Sequence, residues 1–230
     1  MSAGPFQGMI SVVVPVDRAN PSTHRIQNAL ADRNGVELII VLNGEAADLD
    51  LLPRFNERVI VSNRPGRGYA LMQGARKARG EAVLFLHSDT QLPDAWEQEV
   101  RRILGKPSVA GGGFSLSFDT PLRSMNAMAW LSDLWLSITG HVWGDRAMFV
   151  RSDVLRECLG SMDVPIFEDV RLSQQMRRRG KVVISPEKVV TSWDAFRRHG
   201  VLGHLWIIVK SHYWYLIGWE PERIYERYYR

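Results

Sequence analysis

Polar residues of the kinds that bind metals and phosphates follow an apolar run in the first half of the chain. His87, Ser88 and Asp89 come directly after residues 82–86, which read AVLFL. A carboxylate at the end of a buried strand can hold a divalent cation that neutralises a diphosphate. Ser-Asp-Thr before Leu-Pro is also good turn chemistry. The residues alone therefore fit either a metal site or a turn.

A second candidate is the acidic pair Glu168-Asp169, which follows the apolar residues 165–167. Two carboxylates at the start of a helix can simply interact favourably with the helix dipole. The apolar residues directly before the pair would also partly desolvate a carboxylate, which suits a general base. Both interpretations stay open at this point.

Three further segments are weaker candidates for binding. Trp143-Gly144-Asp145 contains a Gly-Asp pair, which is commonly just a turn. Residues 66–68 (Gly-Arg-Gly) loosely resemble a phosphate loop but lack both the Walker and the dinucleotide fingerprints. Arg197 and Arg198 could pair with phosphates, although a solvated basic stretch explains them equally well.

The elements that must position these residues alternate between strand and helix patterns. The predicted strands are 9–16, 36–44, 58–63, 82–90, 111–120 and 181–186, and the predicted helices are 23–33, 66–80, 122–138 and 166–180, with a loop, a short strand and a helix in 143–158. Apolar strands in this alternation predict a mostly parallel sheet covered by helices on both faces. Ligands of such sheets lie beyond the carboxyl ends of the strands, where residues 87–89 fall.

Composition limits the class of protein. With 230 residues, 45% of them hydrophobic, the chain suits one globular domain with or without an appendage. The single cysteine, Cys158, and the lack of a signal-peptide pattern at the N-terminus favour a cytoplasmic location. The net charge of +4 fits nucleic acid, an anionic membrane surface or a phosphorylated substrate. No zinc-finger, RNP or recognition-helix pattern is present, which disfavours nucleic acid.

Taken in order, these stretches resemble glycosyltransferase family 2, whose members are inverting nucleotide-sugar transferases of the GT-A fold. The matching segments are SVVVPV at 11–16, VELIIVLNG at 36–44, the run from Gly66 to Pro93, WGDRAMFVRSDVL at 143–155 and PIFEDVRLSQQMRRRGKV at 165–182. The chain is especially similar to a small bacterial subgroup with a His-x-Asp motif in place of DXD. The resemblance implies a catalytic domain over residues 1–200 with a Rossmann-like nucleotide-binding half, followed by a helical tail over 201–230.

The resemblance also implies roles for the candidate residues. Asp89 and His87 would hold Mn²⁺ or Mg²⁺ against the donor diphosphate. Asp169, with Glu168 beside it, would be the general base that deprotonates an acceptor hydroxyl, giving inversion. The residues implied to line the nucleotide are Pro15, Val16, Asp17, Asn43, Gly44, Arg67, Ala70, Ser88 and Asp89. Those implied to lie near the sugar or acceptor are Trp143, Gly144 and Asp145. Arg197 and Arg198 would lie over the diphosphate. The activity would be of the hexosyltransferase type, with a UDP-sugar the more usual donor and a GDP-sugar the alternative.

Some residues depart from the pattern of the family. His87 replaces the first carboxylate of the metal motif, and a neutral imidazole favours Mn²⁺ over Mg²⁺. Leu42-Asn43 stands where a carboxylate is usual, and Met72 where an asparagine is. The alternatives are therefore a catalytically degenerate nucleotide-sugar-binding protein and a nucleotidyltransferase on a similar α/β sheet. The second lacks support, because the residues after the first strand contain no glycine-rich signature.

Residues 201–219 form an apolar, aromatic segment close to bilayer length, with Lys210 as its one formal charge. His204 and His212 also interrupt it, which disfavours a transmembrane span. We expect this segment to pack on the catalytic domain or to form a homodimer interface. With the basic C-terminus it could alternatively lie on the inner face of the membrane.

Overall fold

The structure, a computed structural model, describes residues 6–17, 21–30, 33–43, 53–54 and 56–229. The strands are β1 (Ile10–Val16), β2 (Val36–Leu42), β3 (Glu57–Val61), β4 (Ala82–Phe85), β5 (Thr90–Gln91), β6 (Val109–Phe118), β7 (Phe149–Arg151) and β8 (Lys181–Thr191). The α-helices are α1 (Pro21–Leu30), α2 (Arg67–Lys77), α3 (Trp96–Leu104), α4 (Arg123–Thr139), α5 (Ser152–Cys158), α6 (Glu168–Arg179), α7 (Asp194–His199), α8 (Val201–Leu216) and α9 (Pro221–Tyr229). Two 3-10 helices span Gly144–Arg146 and Leu159–Met162.

The strands form one mixed sheet in the order β3-β2-β1-β4-β7-β6-β8-β5. β1 to β4 are mutually parallel where they pair, and β6 is parallel to β8. β7 is antiparallel to both β4 and β6. The residues that precede β7 therefore lie at the same edge of the sheet as the residues that follow β4. This arrangement brings the 143–148 segment to the predicted ligand edge.

Helices cover both faces of the sheet, as the apolar strands predict. Successive residues of a strand point to opposite faces, and this alternation divides the buried side chains into two clusters. One cluster includes Val12, Leu38, Leu84 and Trp96 of α3. The other includes Val13, Ile39, Val83, and Leu172 and Met176 of α6. The predicted α/β class with a mostly parallel sheet flanked by helices is confirmed.

Two strand ends differ from the prediction by more than two residues. β4 ends at Phe85, and the next residues form a turn in which the amide of Thr90 donates to the carbonyl of His87 at 3.1 Å. β8 continues past Pro186 to Thr191, because the register against β6 shifts between Phe114 and Ser115. A proline lacks the amide hydrogen that a sheet requires, and such a bulge accommodates it. Helix α3 was not predicted.

The apolar tail is divided into two helices. α8 ends at Leu216 and α9 begins at Pro221, with Gly218 between them at φ +88°. That left-handed backbone favours glycine, and proline is well suited to the first turn of the following helix. Among the helices that the structure describes, none has the length and apolar character needed to cross a membrane.

Candidate active site

Three parallel strands end at one edge of the sheet and place polar residues there. β1 leads into the exposed Asp17, β2 into Asn43, and β4 into His87. Asn43 is only 5% exposed, and its Oδ1 is buried without a hydrogen-bond partner among the residues that the structure describes. A buried acceptor in this state is costly unless a ligand or water supplies a donor. The buried oxygen of Asn43 is therefore suited to accept a hydrogen bond from a polar ligand at this edge.

The other residues predicted to line the nucleotide divide into two groups. Pro15, Ser88 and Asp89 have surface at or near the edge. Val16 and Ala70 are completely buried in the two core clusters, so their side chains are not open to a ligand, and their place at the nucleotide stays a prediction. Gly44 lies outside the described residues.

The start of α2 contacts the start of α6. Arg67 Nε donates to Glu168 Oε1 at 2.6 Å, and Glu168 is only 1% exposed. A Cβ on Gly68 would lie 2.1 Å from the carbonyl oxygen of Val164, so only glycine permits this approach. Burial raises the pKa of Glu168, and the nearby Arg67 charge opposes the rise. The glycine-rich segment thus contacts the acidic pair, and its part in binding the nucleotide stays a prediction.

The carboxylate of Asp169 is held on two sides. Its Oδ2 accepts the amide hydrogen of Gly144 at 2.8 Å and lies 3.6 Å from Arg67 Nη2. Its Oδ1 accepts the amide hydrogen of Val170 at 2.8 Å. The predicted residues Asp169 and Gly144, 25 residues apart in the sequence, are thus in direct contact.

Gly144 also lies against His87. A Cβ added to Gly144 would be 2.9 Å from His87 Nε2 and 3.3 Å from Asp169 Oδ2, so both groups border the same small space. Within the described part of the chain, neither His87 Nε2 nor Asp145 Oδ1 has a hydrogen-bond partner, and both atoms are buried. Burial, together with the Arg67 charge, lowers the pKa of His87 to about 3, so its imidazole is neutral. Burial also raises the pKa of Asp145.

Unusual backbone flanks this site. Phe167 has φ +66° immediately before α6, and Ala147 has φ +45° immediately after the Gly144–Arg146 helix. Such conformations are strained for residues other than glycine and persist only when surrounding contacts hold them. The Phe167 ring stacks on Tyr215 at 4.6 Å and meets His212 edge-on at 5.2 Å. Helix α8 therefore supports the segment that carries Asp169.

Arg146 directly follows the candidate pair Gly144-Asp145, and its residue type alone assigns it no role. It is completely buried, forms an ion pair with Asp133 of α4 and donates to Ser132 Oγ at 2.6 Å. It thereby ties the turn containing Gly144 and Asp145 to α4. The only sequence signal is a cation beside Gly-Asp, which does not distinguish a buried anchor from a surface residue.

Asp89 faces different neighbours from His87. The surrounding protein desolvates Asp89 and raises its pKa, and the carboxylates of Asp17 and Asp194 add to the rise. Arg197 of α7 pairs with Asp194 at 2.8 Å, so α7 approaches Asp89, while Arg197 and Arg198 are both exposed. Within the described residues no group of three His, Cys, Asp or Glu side chains is arranged to hold a metal. The role of His87 as a metal ligand stays a prediction.

The fold is similar to that of solved structures bound to nucleotide sugars. A Pyrobaculum calidifontis mannosyltransferase, PcManGT, in complex with GDP-Man and Mn²⁺ is 15% identical, with a TM-score of 0.60 over 90% of this chain and 66% of that one. S. aureus TarS in complex with UDP-GlcNAc is 13% identical, with a TM-score of 0.61 over 80% of this chain and 58% of that one. The fold is therefore that of the GT-A glycosyltransferases.

The sequence gives the family directly. The profile described as Glycosyl transferase family 2 matches residues 11–161, and the chain belongs to that family. No curated protein sequence matches the chain significantly. The chain spans less than two thirds of the length of the two similar structures, 66% and 58%.

Proposed function

We propose that the protein is a metal-dependent inverting glycosyltransferase that moves a sugar from a nucleotide-diphosphate donor to an acceptor hydroxyl. The observation that carries this proposal is the position of Asp169. Its carboxylate is fixed by the Gly144 amide, at the sheet edge where β1, β2 and β4 end. In this arrangement the proposed base lies next to buried polar groups that are suited to bind a ligand.

Asp169 is proposed as the general base. Arg67 and the Gly144 amide orient its carboxylate, and an oriented carboxylate can remove the proton of an acceptor hydroxyl as that oxygen attacks the anomeric carbon. Direct attack opposite the leaving nucleotide inverts the configuration. Glu168 is buried and bonded to Arg67, so its proposed part is to hold Arg67 and Asp169 in position.

A divalent cation fits at Asp89. Mg²⁺ and similar ions are commonly held by one or two carboxylates together with substrate phosphates, without a cage made only of protein. The acidic neighbours Asp17 and Asp194 favour positive charge beside Asp89. When bound, the cation would stabilise the negative charge of the departing diphosphate. Arg197 and Arg198 are exposed on α7, close to Asp194 in the chain. They would supply further positive charge for the diphosphate.

The nucleotide would lie along the ends of β1 and β2. The buried Oδ1 of Asn43 accepts no hydrogen bond from any described residue, which suits a donor on a nucleobase or ribose. The two similar proteins were bound to GDP-Man and UDP-GlcNAc, and both nucleotides are therefore candidates here.

Calorimetric titration with UDP and GDP, in the presence and absence of Mn²⁺, tests the proposal first. We expect one nucleotide to bind only when the cation is present. Asp89→Ala should abolish that cation-dependent binding without changing the thermal unfolding temperature, because Asp89 is an exposed residue outside the core. Equal binding by wild type and variant would remove Asp89 from the cation site. Release of sugar 1-phosphate from the donor, in place of a nucleoside diphosphate, would favour the nucleotidyltransferase alternative, because attack on the α-phosphorus transfers the nucleoside monophosphate to the acceptor.

Gly144→Ala tests the close contact between His87 and Asp169. The added methyl group would lie 2.9 Å from His87 Nε2 and must displace that ring or the Gly144 amide. We expect donor turnover to fall by about 10- to 100-fold, because small displacements of a catalytic group have effects of this order. Gly160→Ala is the matched control, since a Cβ there meets no atom within 4 Å. Equal turnover by the two variants would contradict the proposed geometry.

A further inference from the structure

One side of α8 exposes an apolar stripe. It consists of Leu202, Trp206, Val209, Tyr213 and Leu216, which are between 57% and 84% exposed. Their spacing alternates between four and three residues, so they lie along one side of the helix. Exposed apolar surface of this extent marks a site of interaction. The helix itself contains no acidic residue.

A cationic, aromatic cavity lies between α8 and α9. Its volume is about 450 Å³, and it is lined by Lys210, Trp214, Arg223, Glu226 and Arg227. The rings of Trp214 and Trp219 stack in parallel with their centroids 4.8 Å apart. Lys210 lies 4.6 Å from the first ring and Arg223 lies 4.2 Å from the second. The cavity is lined by three cationic side chains and one carboxylate, so it favours an anionic ligand. Guanidinium groups form hydrogen bonds with the oxygens of a phosphate.

The cavity and the stripe are neighbours on the same helix. Lys210 follows Trp206 by four residues and precedes Tyr213 by three, and side chains at these separations adjoin each other on a helix. An apolar surface bordered by Trp, Tyr, Lys and Arg is the combination found where proteins meet the boundary between acyl chains and headgroups. Neither feature belongs to the site at the sheet edge.

We propose that α8 and α9 form a binding surface for a bilayer that contains anionic phospholipid. The stripe enters the boundary of the acyl chains, and the cavity receives the phosphate of a headgroup. The electrostatic attraction for the lipid phosphate is confined to the cavity, because Lys210, Arg223 and Arg227 all line it. This binding goes beyond the proposed transfer reaction and does not depend on it.

Flotation with lipid vesicles tests the proposal on the full chain. We expect the protein to bind vesicles containing about 30% phosphatidylglycerol, where anionic lipid attracts juxtamembrane cations, and to bind phosphatidylcholine vesicles far less. Replacing the three cavity cations together, as Lys210→Gln, Arg223→Gln and Arg227→Gln, should weaken binding by at least about ten-fold. The matched control removes three exposed cations of α2 and its C-terminal end, as Arg76→Gln, Lys77→Gln and Arg79→Gln, and should leave binding unchanged.

A second variant, Trp206→Ser with Leu216→Ser, isolates the stripe. It should also weaken vesicle binding by at least about ten-fold. The wild-type side chains move apolar surface from water into the bilayer, and the serine side chains do not. Val61→Ser, at a 54% exposed position of β3, is the control. Thermal unfolding should show that all variants remain folded, since the replaced side chains are at the surface.

Other occupants give distinct results. Binding of inorganic phosphate in calorimetry, lost in the cavity variant and without any vesicle binding, would identify a soluble phosphate ligand and overturn the lipid proposal. A dimer in light scattering that the stripe variant dissociates, without vesicle binding, would assign the stripe to a second copy and also overturn it. Equal vesicle binding by the cavity variant and its α2 control would contradict the headgroup site.

Discussion

Replacing Asp169 with Asn is expected to lower the turnover of a nucleotide-sugar donor by about 10²- to 10⁴-fold, which is the contribution typical of a general base. Asparagine has nearly the same shape, and its one oxygen can still accept the Gly144 amide hydrogen that Asp169 Oδ2 accepts at 2.8 Å, while only the bond from the adjacent amide of Val170 is lost. The backbone of the site should therefore keep its arrangement. What is lost is the basic oxygen that takes the proton of the acceptor.

The measurement is release of nucleoside diphosphate from a panel of UDP- and GDP-sugars, with nucleotide affinity determined separately by calorimetry. Affinity should be unchanged, because Asp169 is proposed to act on the acceptor. Asp163→Asn is the matched control, since Asp163 is an exposed carboxylate paired with Arg64 at the surface. Turnover of Asp169→Asn equal to that of this control would exclude Asp169 as the base. Loss of nucleotide affinity would instead place Asp169 in the donor site.

Much of this site could be predicted because local patterns determine it. The apolar run 82–86 is long enough to be a buried strand, and the parallel neighbours of that strand bring Asp17, Asn43 and His87 to one edge. The same reasoning located the Glu168-Asp169 pair at the start of a helix. In each case a short stretch of sequence contains both the element and the point where it ends.

Contacts between distant segments could not be predicted in this way. Arg67 and Glu168 are 101 residues apart, and nothing within either segment indicates that they meet. The left-handed conformation of Phe167 depends on its packing against Tyr215 and His212 of α8. The passage of β8 through Pro186 depends on a bulge against β6. Tertiary packing decides these features, and local propensity gives no sign of them.

The buried ion pair of Arg146 provides the second large expected effect. Asp133→Ala should lower the free energy of unfolding by about 3–5 kcal/mol, because it leaves a completely buried guanidinium without its counter-charge. Urea denaturation measures the change. Ser132→Ala removes only one hydrogen bond to Arg146 and should cost about 1 kcal/mol. Equal costs for the two variants would show that the Asp133 carboxylate does not compensate the charge.

The double variant Arg146→Met with Asp133→Leu separates the stability of the fold from the arrangement of the site. It removes both buried charges, so the free energy of unfolding should return close to that of the wild type. The turn containing Gly144 would nevertheless lose its attachment to α4, and the Gly144 amide would no longer be held against Asp169. We therefore expect a stable protein with reduced donor turnover. Full turnover in a stable double variant would show that Arg146 contributes to folding alone, and that the contact between Phe167 and α8 is sufficient to position the site.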